Sequence, residues 1–265
     1  MTSDLLLPVR TATELDAMRE AGRVVARALQ AVSAAAVPGV RLRELDDIAA
    51  TCIREAGALP SFLGYAPAGA PPYDGVTCLS PNEVVVHGPP SSRRLWEGDL
   101  LTVDCGAIVD GWNGDAARTV HVGAPTSTDT RLRQATEDAL AAGIAAARPG
   151  ATLYDVAAAV DAVARAAGYA QLPDHGGHGI GRSMHEPPFV PNEPTLEARR
   201  YRLRPGNTIA IEPMLHAGTS RYRTKRDGWS IVTADGKRAA HVEHTVAVTD
   251  DGPVVLTAAD TAPGS

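Results

Sequence analysis

LLTVDCGAIVDGWNGDAARTV, residues 100–120, reads as two strands joined by a tight hairpin turn. Asp110-Gly111 is a dipeptide that two-residue hairpin loops favour, because both central positions require a positive φ. With these two residues at the turn, Val109 faces Trp112 and, counting outward, Gly106 faces Asp115. Asp104 lies two residues before Gly106, so it shares a sheet face with Asp115 in a diagonal relation. Two carboxylates side by side repel each other, and one is driven to protonate unless a cation lies between them. The alternative is a pair of solvated acids flanking a turn. Against it, Asp104 sits within the apolar run that begins at Leu100, where an unpaired charge is costly.

Three further stretches carry residues of the same kind. HGGHGIGRSMHEPP (175–188) holds His175, His178 and His185 among glycines. The glycines lack GxGxxG spacing and no helical pattern follows, which rejects a phosphate loop. Glycine beside His178 lets the backbone pack closely and the imidazole reach a metal, although a lone histidine is also a common structural residue. In NTIAIEPML (207–215), Glu212 ends an apolar strand before Pro213, and glutamate is rarely buried without a partner. RAAHVEHTVAV (238–248) alternates as a strand, with His241, Glu243 and Thr245 on one face and Val242, His244, Val246 and Val248 on the other. Taken alone, Glu243 is equally well read as solvated on an edge strand. Together, Asp104, Asp115, Glu212, Glu243 and His178 make a hard, oxygen-rich donor set. It suits Mn, Fe, Co or Zn in a catalytic site better than a thiolate structural zinc. Four carboxylates are balanced by two divalent cations, and such a pair roughly 3.5–4 Å apart can share a hydroxide and polarise a carbonyl.

Around these motifs the apolar spacing predicts helices over residues 13–37 (capped by Thr13, with Asp16 in the first turn), 42–56, 130–147 and 153–167. It predicts strands over 76–78, 83–87, 208–212, 229–232 and 241–248, with an irregular Pro/Gly/Ala-rich segment at 60–75. A repeat is visible at an offset of 111 residues: Pro38-Gly39 and Pro149-Gly150, Glu44 and Asp155, Arg54 and Arg165, Ala56-Gly57 and Ala167-Gly168. It is either coincidence in an Ala-rich chain or a duplicated helix–turn–helix–strand unit. In the second case the halves, about 13–123 and 124–250, meet at a central cleft where binding sites form.

The chain has 265 residues, 44% hydrophobic and 21% charged, as expected of a soluble globular protein. A net charge of −6 argues against nucleic-acid binding. Cys52, Cys78 and Cys105 are odd in number and lack CxxC spacing, which suits a reducing, cytoplasmic compartment. No basic-then-apolar leader and no long apolar run is present, so neither export nor a membrane span is expected.

The order of these motifs resembles that of methionine aminopeptidases of the bacterial type I kind. The resemblance rests on MREAGRVVA (18–26), NEVVVHG (82–88), the Asp104–Asp115 pair, GHGIGRSMHEPP (177–188), IEPM (211–214), DGW (227–229) and VEHT (242–245), and covers nearly the whole chain. It implies the α/β (α+β) pita-bread fold: two pseudo-two-fold halves forming a curved antiparallel sheet covered by helices, as one catalytic domain over 1–265. It implies Asp104, Asp115, His178, Glu212 and Glu243 as ligands of two divalent metal ions (Co, Mn, Fe or Zn), with Asp115 and Glu243 bridging. The implied activity is removal of the initiator methionine from nascent polypeptides by a metal-activated hydroxide. In that scheme Glu212 moves the proton, His185 and His87 contact the substrate and its transition state, and the free α-amino group binds one metal. The implied methionine pocket comprises Tyr65, Tyr73, Cys78, His87, Trp229 and the residue before His185. A monomer acting in the cytoplasm near the ribosome, with no membrane or nucleic-acid partner, completes the expectation. Met184, Phe62, Asn113 and the longer stretch between Tyr65 and Tyr73 depart from the better-known relatives and put the pocket's shape in question. The competing readings are an Xaa-Pro peptidase on the same fold, which usually carries an extra N-terminal domain, and a binding protein that has lost its metals.

Overall fold

In the computed structural model, residues 5–67 and 69–259 are described. Helix α1 (Ala12–Ala35) starts at Thr11, whose hydroxyl accepts from the Glu14 N–H while the Glu14 carboxylate accepts from the Thr11 N–H. Thr11, not Thr13, is therefore the cap. Asp16, the acid expected to serve Thr13, is instead paired with Arg19 one turn on, at 2.6 Å. Helix α2 (Leu42–Glu55) follows, then α3 (Ser127–Ala146) and α4 (Leu153–Ala167).

The repeat has a structural basis. Glu44 accepts from the Arg41 N–H and Asp155 from the Thr152 N–H, each at 2.7 Å, so the matched acids cap α2 and α4 in the same way. Gly57 and Gly168 both take positive φ where those helices end. Leu95 accepts from the Gly39 N–H and donates to the Val40 carbonyl; Leu203 accepts from the Gly150 N–H and donates to the Ala151 carbonyl. Leu95 and Leu203 stand 108 residues apart, which is also the separation of Asp104 and Glu212. The duplication thus sets these two carboxylates at equivalent places in the two halves.

Among the described residues the main sheet has nine strands: β1 (Leu59–Pro60), β2 (Thr77–Pro81), β3 (Leu100–Val109), β4 (Trp112–His121), β5 (Gly176–Gly179), β6 (Glu186–Pro191), β7 (Thr208–Ile211), β8 (Glu243–Thr249) and β9 (Gly252–Val255). Its path runs β1-β3-β4-β8-β7-β5-β6, with β2 also against β3 and β9 against β8, all antiparallel, curled into a half-barrel. The hairpin has the expected register, Val109 opposite Trp112 and Gly106 opposite Asp115. On β3, Leu101, Val103, Cys105 and Ala107 turn into a core shared with α1 and α2, while Thr102, Asp104 and Gly106 face the other way. Ile209, Ile211, Val246 and Val248 of β7 and β8 bury against α3 and α4 in a second, equivalent core.

The expected continuous strand over 241–248 is broken. Ala239–His241 pairs with Met214–His216 in a separate three-stranded sheet, and β8 begins only at Glu243. Nor does Glu243 lie on an edge, because β8 runs between β4 and β7. The residue is 3% exposed, so the solvated reading of this acid is wrong.

Candidate metal centre and substrate cavity

The register of the central strands gathers the carboxylates. Asp104 of β3 and Glu243 of β8 are both opposite Ala117 of β4, from its two sides, so the three residues form one row across the sheet. Asp115 precedes Ala117 by two residues on the same face. Asp115 is fixed through its backbone: its N–H donates to Thr245 Oγ1 at 3.0 Å, and that hydroxyl donates back to the Asp115 carbonyl at 2.8 Å. Glu212 follows β7 directly, and its carbonyl accepts from Asn192 Nδ2 at 2.9 Å.

His178 is carried by β5, where the flanking glycines have a steric reason. A Cβ on Gly177 would meet the Ala210 carbonyl oxygen at 2.0 Å, and one on Gly179 the Pro187 oxygen at 2.5 Å. The Nδ1–H of His178 donates to the Gly179 carbonyl at 2.9 Å, which leaves the Nε2 lone pair turned toward Glu212 Oε1, 3.8 Å away.

Donor atoms of Asp115, His178 and Glu243 lie within 4.8 Å of one another, and so do those of Glu212, His241 and Glu243. Asp104 Oδ1, Asp115 Oδ1 and Glu243 Oε1 are buried without any hydrogen-bond partner. Burial, then the charges of neighbouring carboxylates, drives Asp104 and Glu243 well above the usual carboxylate range. The same causes push Asp115 up to about 8, and burial pushes Glu212 up to about 8. Burial lowers His178, His87 and His241 to about 3, so all three are neutral near pH 7 with lone pairs free to act. Orphaned carboxylate oxygens beside neutral imidazoles fit a divalent-cation site and make poor sense without one.

The donors form the floor of a cavity of about 540 Å³. One wall is apolar: Phe62, Tyr73, Cys78 and Met184 are buried together, with Tyr65 and Trp229 packed against them. Every residue expected in the pocket lines this space, His87 and His185 included. His185 Nδ1 is hydrogen-bonded to Tyr65 Oη at 2.9 Å, and its ring lies 4.3 Å from that of His178. His87 sits at φ 59° with its ring 6.4 Å from Trp229. The departures noted in the sequence have definite places. Phe62 packs edge-on against Tyr73, and Pro71 of the longer loop accepts from Trp229 Nε1 at 3.1 Å. Asn113 is structural: its Nδ2 donates to the Gly181 and Arg182 carbonyls, and its Oδ1 accepts from Ser61.

His175 borders the cavity but stays out of the donor set, its ring against Tyr222 at 5.2 Å and its Nδ1 donating to the Pro173 carbonyl. The sequence reading passed over His241 and Thr245 as site residues. Their shared face with Glu243 on the alternating strand was the available signal.

A duplicated α/β frame whose strands present carboxylates and a neutral imidazole to one cavity defines a metal-dependent hydrolase of the pita-bread class. The sequence profile described as Metallopeptidase family M24 matches residues 16–250, and the chain belongs to that family. It is 51% identical over 259 residues to methionine aminopeptidase 1 of Mycobacterium tuberculosis, covering 95% of each chain. Among solved structures, methionine aminopeptidase from Thermotoga maritima is similar with a TM-score of 0.90 and 37% identity, over 95% of this chain and 99% of that one. Prolidase from Pyrococcus furiosus shares the fold at a TM-score of 0.76 and 24% identity, with 95% of this chain matched to 66% of that chain.

Proposed function

We propose that this protein removes the N-terminal methionine of polypeptides. The observation that carries the reading is the junction of two unlike surfaces in one cavity: a floor of unsatisfied carboxylates and an adjoining wall of Met184, Cys78 and aromatic rings. A thioether side chain is long, unbranched and polarisable, and it packs well against sulfur and ring edges. Asp104, Asp115, His178, Glu212 and Glu243 would hold two divalent cations, with Co, Mn, Fe or Zn all compatible with such donors. When bound, the cations supply a water acidic enough to attack near neutral pH and an electrophile for the carbonyl.

The chain's own groups do the rest. Glu212 Oε accepts and returns a proton, a role open to a carboxylate that lies between His178 and His241 beside the attacking water. Tyr65, by donating its O–H to His185 Nδ1, keeps that ring's proton on Nε2, where it can be donated to the developing oxyanion. His87, neutral by burial, hydrogen-bonds the amide that follows the departing residue. The wall of Tyr65, Tyr73, Cys78 and Trp229 orients the methionine side chain and excludes water. In this reading 1–265 acts as one catalytic domain and as a monomer on nascent chains in the cytoplasm, close to the ribosome. No helix among the described residues is long and apolar enough to cross a membrane.

The decisive experiment supplies purified protein and Mn²⁺ or Co²⁺ with a Met-Ala-Ser peptide and, separately, an Ala-Pro-Ala peptide. Release of methionine from the first and no cleavage of the second is expected. Cleavage of the second alone would assign a proline-directed peptidase, and inertness toward both would leave a binding protein.

A further inference from the structure

One side chain beside the floor donors Glu212 and Glu243 has no part in the five-residue donor set. His241 ends the strand Ala239–His241 and is 1% exposed, yet neither ring nitrogen has a hydrogen-bond partner. A neutral imidazole carries one donor and one acceptor, and leaving both unpaired in the interior is costly unless something else engages them. The position is built with care. His241 donates its N–H to Thr119 Oγ1 at 3.1 Å and accepts from the same hydroxyl through its carbonyl at 2.7 Å. This is the arrangement by which Thr245 fixes Asp115, and Thr119 and Asp115 lie on one face of the same strand. The backbone break at Val242 allows His241 to leave one sheet and Glu243 to enter the other with both side chains at the site.

The surroundings single out a cation as the missing partner. His241 Nε2 is 3.4 Å from Glu212 Oε2, while the other oxygen of that carboxylate faces His178. One donor atom each from Glu212, His241 and Glu243 falls within 4.8 Å of the other two, and Glu243 Oε1 is itself unpaired. A single ion at ordinary ligand distances of about 2.0–2.2 Å spans such a triangle with little side-chain movement.

We propose that His241 is a sixth donor of the metal centre, holding one of the two cations together with Glu212 and Glu243. The inference rests on the two-cation reading above. It gives each cation a neutral imidazole, His178 for one and His241 for the other. Imidazole donors favour first-row transition ions over Mg²⁺ and Ca²⁺ at both positions.

The test is a Co²⁺ titration of chelator-stripped protein, followed by calorimetry and by visible absorption of the metal. Wild-type protein is expected to take up two Co²⁺. His241→Leu, which keeps the volume and removes the donor, should bind the first with unchanged affinity and the second at least about ten-fold more weakly, with altered absorption from the second equivalent. His241→Gln, with a weaker oxygen donor, should fall between, and it serves as the readout if the leucine variant does not fold. Two equivalents bound by a folded variant with wild-type affinity and spectrum would overturn the role of His241. Fewer than two bound by wild-type protein would instead overturn the two-cation reading, and the assignment of His241 with it.

Discussion

The floor and the wall of the cavity are built differently. The floor residues Asp104, Asp115, His178 and Glu243 sit on interior, paired strands of the main sheet, where register fixes them against one another. Thr245 and Thr119 clamp the backbone on either side. The wall comes mainly from loops: Phe62, Tyr65, Tyr73, Met184 and Trp229 lie between elements, joined by a few loop hydrogen bonds (Tyr65 N–H to the Phe62 carbonyl, Tyr73 N–H to the Tyr65 carbonyl) and otherwise by side-chain packing. A hydrogen-bonded ladder leaves little freedom in the placing of a charge, whereas apolar packing accepts substitutions of similar volume. The floor should therefore be intolerant of change and the wall graded in its response.

Glu212→Gln should have the largest effect. It keeps the shape of the side chain and removes one negative charge and the proton acceptor, so turnover on a Met-Ala-Ser peptide should fall by about three orders of magnitude while the far-ultraviolet dichroism stays unchanged. Near-normal turnover would strip Glu212 of its role and erase the distinction between floor and wall.

The pH dependence of the metal-free protein tests the floor as a whole. Asp115 and Glu212 rise from 3.8 and 4.5 to about 8 on folding, so the stability they contribute is full below about pH 4 and is lost as pH rises to about 8. His87, His178 and His241 fall from 6.5 to about 3 and act in the opposite sense; their contribution is present above pH 6.5 and lost as pH falls toward 3. Between pH 6.5 and 8 the imidazoles are silent. The urea midpoint of chelated protein should decline across that window, and Mn²⁺ should flatten the profile by replacing the missing protons. A chelated profile that is already level would mean the carboxylates are not confined as the register requires.

Thr245→Val removes both bonds that hold the Asp115 backbone and leaves its buried N–H without a partner. Equilibrium unfolding should show a loss of about 1–3 kcal/mol. A loss below a few tenths of this would place the rigidity of the floor elsewhere.

Met184→Phe should do least. A ring there enlarges the side chain at a loop-borne position, and KM for methionyl peptides should shift by only a few-fold with little change in kcat. A collapse in kcat as deep as that of Glu212→Gln would show that the wall is as constrained as the floor.

Much of this site was legible in the chain itself. Hairpin parity placed Asp104 and Asp115 on one face because a two-residue turn fixes the register of everything that follows it. The repeat was legible because the same capping acids and Pro-Gly turns are needed wherever the same helix pair recurs. Glu243 was harder to read. Local alternation says which face a side chain takes but not which strands flank its own, so the residue could be assigned to an edge when it lies at the centre. His241 fell to the same limit. A break at Val242 that divides one apparent strand between two sheets leaves no mark on a periodicity of two.

The sequence by itself thus determined the helix pairs, the hairpin, the internal duplication and the chemical character of the donors, because each depends on neighbours a few residues apart or on side-chain identity. Only the tertiary structure decided which strands lie side by side, and so that Asp104, Asp115, His178, Glu212 and Glu243 meet on one face of the sheet with His241 beside them. The pairing that joins the halves, β4 with β8, brings together residues more than a hundred positions apart, such as Ala117 and Glu243, and it is selected by the packing of both halves at once.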